Sequence, residues 1–352
     1  MALEDAKNQV DQAFTRDDPR GLSFENAFGG ATSFLRRRYS KDLAGVDLAV
    51  TGIPFDQAVT HRPGARFGPR AIREASTLQA FDPPYGWGYD PLSVLSVVDY
   101  GDMAFDYANT REVPGRIEAH IGAIMDAGAA PVTMGGDHFI TLPILRAVAA
   151  RRGPVALIQF DAHSDTWVDD DPDRIDHGTF LYKAIREGVV DPAASVSIGI
   201  RTENPDTLGV TILDAPGVHR DGIVDVPRSL QVGIRTTNPA NPVPEIDALT
   251  VHEIGAVETA RRIRAHLGEG PVYVTFDIDA LDPAFAPGTG TPVWGGLASW
   301  QAAALLRGLA GVDLIGGDVV EVSPAYDTTG ATAVAGAHVA MELIALYGWT
   351  RR

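Results

Sequence analysis

The chain contains 352 residues, of which 45% are hydrophobic and 21% are charged. This is the composition of a globular protein, and it excludes a disordered chain, a collagen and a coiled coil. Asp and Glu number 46 against 29 Lys and Arg, so the formal net charge is −17. That charge disfavours nucleic acids and anionic lipid surfaces as partners, and it favours cationic ligands or metal ions. Cysteine is absent, which excludes disulfides, thiolate zinc sites and cysteine nucleophiles.

The N-terminal segment, residues 1–42, is polar and is predicted to be an arm outside the folded domain. It has no apolar stretch of the kind found in signal peptides, and no run in the chain approaches the roughly 18 apolar residues of a membrane span. The sequence therefore predicts a cytoplasmic protein. The basic cluster at 36–38 is interpreted as part of a solvated arm or a subunit contact, because the strongly negative net charge disfavours a nucleic-acid site.

Short apolar runs alternate with helix-like segments along most of the chain. Strands are predicted at 46–52, 94–101, 130–136, 154–161, 195–201, 271–279 and 312–322. Helices are predicted near 69–79, 114–128, 141–152, 252–268, 298–310 and 332–347. Because the strands are nearly continuous apolar runs, the alternation predicts an α/β fold with a mainly parallel sheet and helices on both of its faces. No linker-like composition divides residues 43–352, so a single domain is predicted.

One segment of the chain is repeated. GVVDPAASVSIGIRTENP at 188–205 aligns with GIVDVPRSLQVGIRTTNP at 222–239, and a second similarity relates 213–222 to 246–255. Two units are too few for a solenoid. We therefore expect a tandem duplication within 188–255, and the sequence leaves open which copy forms the strand of the sheet.

Acidic and histidine residues stand at the ends of three predicted strands. The candidates are His138, Asp161, His163, Asp165, Asp277 and Asp279. Alternate side chains of an extended backbone share a face. The D-x-H-x-D run at 161–165 is therefore expected to point its acidic and histidine side chains to one side, and the D-x-D run at 277–279 to do the same. Ligands of parallel sheets bind at the carboxyl edge, where these runs and the GGDH run meet. Carboxylates and imidazoles suit hard or borderline divalent cations, so the pattern predicts a site for two metal ions.

Several longer motifs resemble those of the ureohydrolase superfamily, which includes arginases and agmatinases, and within it the agmatinase-like branch. They are GIPFDQA (52–58), RPGARFGPRAIR (62–73), GGDHFITLP (135–143), FDAHSDT (160–166), HGTFLY (177–182), FDIDALDPAFAPGTGTP (276–292) and VVEVSPAYD (319–327). The resemblance implies a three-layer α/β/α arginase-like fold with a mainly parallel sheet of about eight strands. It also implies two Mn²⁺ ions per chain, with Ni²⁺ or Co²⁺ as alternatives, and hydrolysis of a guanidinium group to urea and an amine.

The resemblance also assigns roles to individual residues. The first metal site is expected to comprise His138, Asp161, Asp165 and Asp277. The second is expected to comprise His163, Asp161, Asp277 and Asp279, so that two aspartates bridge the ions. His177 matches the proton-shuttling histidine of the family, and Glu321 matches the carboxylate that faces the substrate guanidinium. Read alone, either residue has a structural interpretation, as a satisfied histidine or a buried salt-bridge partner.

The loop between Asp165 and His177 bears on the substrate, because in this family it faces the substrate tail. It contains five aspartates, Asp169, Asp170, Asp171, Asp173 and Asp176, with only Arg174 opposing them. An acidic loop favours a cationic tail, such as the amine of agmatine, over a carboxylate tail. The alternative is a loop that is merely solvated. Trp294 is a candidate for stacking on a cation, with a packing role as the alternative.

The leading functional hypothesis is therefore an agmatinase that acts on a small cationic guanidino compound and has no nucleic-acid or membrane partner. A homo-oligomer, a trimer or hexamer, is expected. Guanidinobutyrate, guanidine or a biguanide are the alternative substrates. Zinc-dependent deacetylation is disfavoured by the second D-x-D run and by Glu321. An inactive subunit of a hetero-oligomer is the remaining alternative, and it is disfavoured because all the candidate ligands are present.

Overall fold

A computed structural model describes residues 28–202, 208, 211–213, 251–252 and 254–352. Its centre is an eight-stranded sheet in the order β2-β1-β3-β8-β7-β4-β5-β6, and every pair of neighbours is parallel. The strands are β1 (Leu48–Ile53), β2 (Val97–Asp102), β3 (Ala130–Gly135), β4 (Ala156–Phe160), β5 (Val196–Ile198), β6 (Thr211–Leu213), β7 (Pro271–Asp277) and β8 (Asp313–Val320). All the predicted strands are present, and β6 is an additional one at the edge.

The helices of the described residues connect these strands. They are α1 (Gly68–Ser76), α2 (Pro91–Val94), α3 (Val113–Asp126), α4 (Thr141–Arg152), α5 (Phe180–Arg186), α6 (Ala256–Leu267), α7 (Ser299–Gly308) and α8 (Ala331–Trp349). The prediction missed α2 and α5. Asp90 accepts a hydrogen bond from Leu92 N at the start of α2, and this capping shortens the strand predicted at 94–101. The short α5 follows a 3₁₀ turn at His177–Thr179, within the predicted HGT motif.

The helices form two layers, one on each face of the sheet. Alternate residues of each strand enter different apolar clusters, as Val50 and Ala49 of β1 do. The cluster on one face contains residues of α6, α7 and α8, and that on the other face contains residues of α3, α4 and α5. The three-layer fold with a parallel sheet is therefore confirmed. Strands buried on both faces explain the continuous apolar runs of the sequence.

Among the described residues, one helix is long and apolar enough to cross a membrane, and it is α8. Most of its residues are buried within the protein, where it packs against α1, α7 and β8. Such burial is typical of the core helix of a soluble protein.

The end of the N-terminal segment is packed into the fold. Phe34 and Leu35 are buried in the core, and their backbone N–H groups donate to Asp99 Oδ2 (2.7 Å) and Ser76 Oγ (2.8 Å). Arg36 and Arg37 are also buried. The basic cluster is thus part of the folded chain rather than a solvated arm, because two apolar neighbours anchor it. Residues 1–27 lie outside the described residues.

The first copy of the repeated segment supplies a strand of the sheet. Val196–Ile198 pairs with β4 on one side and with β6 on the other. The second copy, at 222–239, lies outside the described residues.

Candidate metal centre and active site

The candidate ligands follow strands that are neighbours in the sheet. His138 follows β3, Asp161 follows β4, and Asp277 is the last residue of β7. Glu321 directly follows β8, which lies between β3 and β7. Because all these strands are parallel, their carboxyl ends meet at one edge of the sheet.

A glycine allows the loop of His138 to approach that edge. A Cβ atom at Gly136 would overlap the carbonyl oxygen of Phe55. The backbone of Gly136 donates to Ile53 O (2.8 Å) and accepts from Glu321 N (2.8 Å). The Gly-Gly pair of the GGDH motif thus joins the ends of β1, β3 and β8, and it places His138 beside Glu321.

The His138 ring is surrounded by three of the aspartates. Its Nδ1 atom lies 3.0 Å from Asp161 Oδ2, 3.0 Å from Asp165 Oδ2 and 3.3 Å from Asp277 Oδ2. The ring is buried, and Nδ1 makes no well-directed hydrogen bond. A buried nitrogen that faces three carboxylate oxygens without bonding well to any of them fits a common cation between the four atoms.

The His163 ring completes a second group. Its Nδ1 atom lies 3.1 Å from Asp279 Oδ2 and 3.4 Å from Asp161 Oδ1. Asp161 thus faces both histidines, one with each carboxylate oxygen. Asp277 and Asp279 are tied together, because the Asp279 N–H donates to Asp277 Oδ1 (2.8 Å). The candidate ligands therefore form two groups that share Asp161, and Asp277 lies against the first group at His138 and is bonded to the second through Asp279.

Backbone and side-chain donors hold these carboxylates in place. Asp161 accepts from His163 N (2.6 Å) and Gln159 Nε2 (2.8 Å), and Asp279 accepts from Ala162 N (3.0 Å). Asp165 has a φ of 52°, in the left-handed region that favours glycine. A residue held there costs of order 1–3 kcal/mol, and here it turns the carboxylate toward His138.

Burial and neighbouring charges shift the pKa values of residues in the cluster. Burial and the nearby Asp161 carboxylate raise the pKa of Asp165 to about 6. Burial and Asp279 raise the pKa of Asp277 well above its usual value. Burial lowers the pKa of His138, but the three carboxylates around it outweigh this effect and raise it. Burial and close carboxylates thus favour positive charge within the cluster, and its oxygen-rich donor set with two imidazoles suits divalent metal ions.

The two residues expected to act on the substrate lie together beside this cluster. His177 Nδ1 is 2.8 Å from Glu321 Oε1, and His177 Nε2 is 3.0 Å from Thr60 Oγ1. Burial lowers the pKa of His177, but the Glu321 carboxylate outweighs this effect and raises it to about 9. Glu321 also accepts from His138 N (3.0 Å).

Glu321 is fully buried, yet only one of its oxygens is used. Oε2 has no hydrogen-bond partner among the described residues, and the backbone φ is 62°. A Cβ atom at Gly290 would lie 3.0 Å from Oε2, so the glycine keeps this side of the carboxylate clear. A buried carboxylate oxygen without a partner requires a hydrogen-bond donor. His177 contacts the other oxygen, Oε1, so Oε2 is left for a donor from outside the described residues.

A cavity of about 340 Å³ opens over His163, Asp165 and His177. Thr60, Trp167 and Asp176 are among its other lining residues. Trp167 is 52% exposed. Trp294 does not line this cavity in the described part of the chain and is 88% exposed. Trp167, which directly follows the FDAHSDT motif, is therefore the tryptophan of the described residues that lines this cavity.

The acidic loop is mostly engaged with itself. Asp169 is buried and lies 2.8 Å from Lys183 Nζ. Asp170 accepts from Tyr182 OH (2.6 Å). Of the five loop aspartates, Asp176 lines the cavity. Asp169 is therefore paired with Lys183 of α5 and Asp170 is bound by Tyr182 of the same helix, so the preference of the loop for a cationic tail stays a prediction.

Sequence reasoning missed three polar residues of the site. Thr60 contacts His177, and Asp137 is buried with Oδ2 accepting from Ala58 N (2.8 Å). Burial and Glu321 raise the pKa of Asp137. Asp318, in the middle of β8, is likewise fully buried. For Asp318 the available signal was a lone acid within the predicted strand 312–322.

Fold and donor set together define the class of α/β proteins that bind divalent metal ions at the carboxyl edge of a parallel sheet. The sequence model of the Arginase family matches residues 46–235 and 217–345. The chain is 47% identical to an agmatinase of Chromobacterium violaceum over 337 residues, which are 96% of this chain and 94% of that protein. The chain belongs to the Arginase family and is a ureohydrolase, an enzyme that hydrolyses C–N bonds. Membership implies a centre of two divalent metal ions.

Solved structures support the same conclusion. A crystal structure of a hypothetical agmatinase from Burkholderia thailandensis gives a TM-score of 0.83 at 48% identity, over 96% of this chain and 97% of that one. Proclavaminate amidino hydrolase from Streptomyces clavuligerus gives a TM-score of 0.77 at 35% identity, over 92% and 99%. The arginase-like fold predicted from the motifs is confirmed.

Proposed function

We propose that this chain is an agmatinase, which hydrolyses agmatine to putrescine and urea with two Mn²⁺ ions per chain. Ni²⁺ and Co²⁺ are alternative ions, because similar donor sets bind all three. The observation that carries the proposal is the pair of adjoining histidine-aspartate groups, with the His177–Glu321 pair beside them at the cavity. The similarity to the agmatinase of Chromobacterium violaceum, at 47% identity, supports the choice of substrate.

We assign the ligands as the family resemblance implies. One ion would be held by His138, Asp161, Asp165 and Asp277, and the other by His163, Asp161, Asp277 and Asp279. Divalent ions, when bound, acidify water and so supply a nucleophile at neutral pH. Asp161 contacts both histidine rings, which supports its assignment as a bridging ligand.

The guanidinium group needs an anionic partner and a defined orientation. The free oxygen of Glu321 supports its role as that partner, because a planar cation with several N–H donors would satisfy this buried oxygen. In the reaction, water adds to the guanidinium carbon and the bond from that carbon to the alkyl nitrogen breaks. The leaving amine takes up a proton. His177 is suited to deliver it, because Glu321 keeps its ring charged at neutral pH.

The cavity beside His177 accommodates the tail of the substrate. Trp167 offers an aromatic face and Asp176 a carboxylate to the ammonium group of agmatine. Arg174 also lines the cavity and lies 3.1 Å from Asp176. This arginine favours a second candidate substrate, a guanidino compound with a carboxylate tail such as guanidinobutyrate. The paired acid and base make the local charge nearly neutral, so the two substrates must be compared directly.

The test is urea release by the purified chain alone, loaded with Mn²⁺. Agmatine, guanidinobutyrate, guanidine and a biguanide would be compared at equal concentrations. We expect agmatine to give the highest kcat/KM. A higher value for guanidinobutyrate would assign the second candidate. The absence of urea from every compound, with both metal ions bound, would indicate an inactive subunit of a hetero-oligomer.

We further propose that residues 43–352 form one catalytic domain that works as a homo-oligomer in the cytoplasm. The continuous sheet and the two shared apolar clusters support the single domain. Light scattering of the purified chain would give the number of subunits, and a monomeric active enzyme would contradict the proposal.

A further inference from the structure

A buried chain of polar groups runs from His138 away from the metal cluster into the sheet. His138 Nε2 lies 2.8 Å from Thr275 Oγ1, and that oxygen lies 2.6 Å from Asp318 Oδ1. Thr275 and Asp318 are 0% exposed, and His138 is 1% exposed. The groups belong to adjacent strands, because β7 carries Thr275 and β8 carries Asp318. Polar groups at such depth are costly unless they satisfy one another.

Asp318 accepts hydrogen bonds from three hydroxyl groups. Besides Thr275, Tyr273 OH lies 2.9 Å and Thr141 Oγ1 lies 3.1 Å from Asp318 Oδ2. Asp318 is the acceptor in all three of these hydrogen bonds, so its oxygens leave Thr275 as a donor on this side. Asp318 is too deep to reach the cavity, so the proposed reaction assigns it no direct part.

The Thr275 hydroxyl has a single proton, and the direction in which it is donated determines which ring nitrogen of His138 carries a proton. Thr275 donates this proton to Asp318, so its oxygen must accept from His138 Nε2–H. With the proton on Nε2, the neutral ring presents the lone pair of Nδ1 to the aspartates. A metal-binding histidine needs this form, and its other ring nitrogen usually donates to an outer partner.

We propose that Thr275 and Asp318 are positioning residues that hold His138 in the tautomer and orientation required by one metal ion. Because Asp318 accepts the proton of the Thr275 hydroxyl, the Thr275 oxygen becomes a better acceptor for Nε2–H. The inference depends on the proposed metal ligands and is independent of which guanidino compound is hydrolysed.

The two histidines of the centre differ in this respect. His163 is partly exposed and lines the cavity, and its Nε2 atom has no hydrogen-bond partner within the described part of the chain. A defect in the buried chain should therefore weaken one of the two ions. This asymmetry separates a specific role from general damage to the fold.

The test is Mn²⁺ binding by the metal-free full-length chain, measured by equilibrium dialysis and metal analysis without substrate. Thr275→Val keeps the shape of the side chain and removes the hydroxyl, so one of the two ions should bind about 10- to 100-fold more weakly. Thr275→Ser restores the hydroxyl and should restore the affinity. Thr275→Ala is a second variant that lacks the hydroxyl and avoids branched methyl groups, in case the valine variant does not fold.

Thr141→Val is the matched control. It removes a hydroxyl from the same carboxylate by the same chemical change. Thr141 Oγ1 also lies 3.5 Å from Thr275 Oγ1, a much longer contact than the 2.8 Å hydrogen bond between His138 and Thr275, which the change leaves in place. We expect near-normal affinity for both ions. The proposal is overturned if the Thr275 variants without a hydroxyl bind both ions normally, if Thr275→Ser binds as weakly as Thr275→Val, or if Thr141→Val weakens the same ion as much. A chain that binds both ions as expected but releases no urea would contradict the proposed function and leave this inference supported.

Discussion

Two sets of aspartates lie close together in the chain but have different surroundings in the fold. Asp161 and Asp165, at the end of β4, are buried and face His138 at 3.0 Å. Asp169 and Asp170, a few residues later, are engaged by Lys183 and Tyr182 of α5. The residue type is the same, so position in the fold decides the role. Carboxylates at the ends of parallel strands converge, whereas carboxylates in a loop find partners of their own.

The comparison shows how local charge can mislead. The loop has a strong excess of acids in the sequence, but Asp176 pairs with Arg174 and caps the turn at His177 by accepting from Gly178 N (2.9 Å). Asp171 accepts from Asp173 N (3.0 Å). These contacts fix the backbone of the loop, and the ion pair with Arg174 reduces the negative charge that Asp176 presents to the cavity. Burial and the lack of counter-charges make the carboxylates at the strand ends the ones that attract cations.

The largest contrast is expected between Asp161→Asn and any variant of the loop. Asp161 faces both histidines, so its loss should weaken both ions, and activity should fall by more than the roughly 10- to 100-fold typical of an outer partner. Asp165→Asn, at the His138 group alone, should cost less. Steady-state rates together with metal content would check this order. Equal losses for Asp161→Asn and Asp165→Asn would contradict the bridging assignment.

The next effect separates metal binding from proton transfer. His177→Ala should retain both ions while activity falls by about 10²–10⁴, the usual contribution of a general acid or base. The reason is that His177 contacts Glu321 and Thr60 rather than the aspartates of the cluster. Metal analysis of the variant is the decisive control. If metal is lost in proportion to activity, the role in proton transfer is wrong.

The His177–Glu321 pair should also give stability a dependence on pH. The pKa of His177 in the folded chain is about 9, above its ordinary 6.5. The charged ring therefore stabilises the fold fully below pH 6.5, and this contribution is lost as the pH rises to about 9. Comparing metal-free wild type with His177→Gln by urea unfolding, we expect the difference in unfolding free energy to shrink by about 3 kcal/mol across this window. A difference that stays constant would show that the pair is not charged.

The smallest effect is expected for Asp171→Asn. Asp171 is exposed and its side chain can still accept from Asp173 N after the change. Exposed charges contribute little, so KM for agmatine should change by no more than about twofold. Measuring KM at low and high salt would check this. A large rise in KM at low salt would restore the view that the loop attracts the substrate by its field.

Many residues of this site could be predicted from the sequence, because the ends of buried strands can be located from continuous apolar runs. Continuous apolar runs located β4 and β7, and so placed Asp161, His163 and Asp165 just after β4. These residues converge through a bend after the strand and the left-handed backbone of Asp165, not through the extended backbone that the alternation predicted. Side-chain contacts between distant segments could not be predicted from the sequence. Neither the ion pair between Asp169 and Lys183 nor the hydrogen bond between Thr275 and Asp318 leaves a periodic signal, because each depends on which elements become neighbours. The packing of Phe34 and Leu35 escaped prediction for the same reason.

The central claim is that the strand-end carboxylates and the two histidines hold two divalent ions in the working enzyme. Its most direct test is metal analysis of the chain, reconstituted with Mn²⁺ and freed of excess metal, alongside urea release from agmatine. The account predicts two ions per chain in the active preparation, and full activity only when both are bound. Full activity with one ion per chain would contradict it.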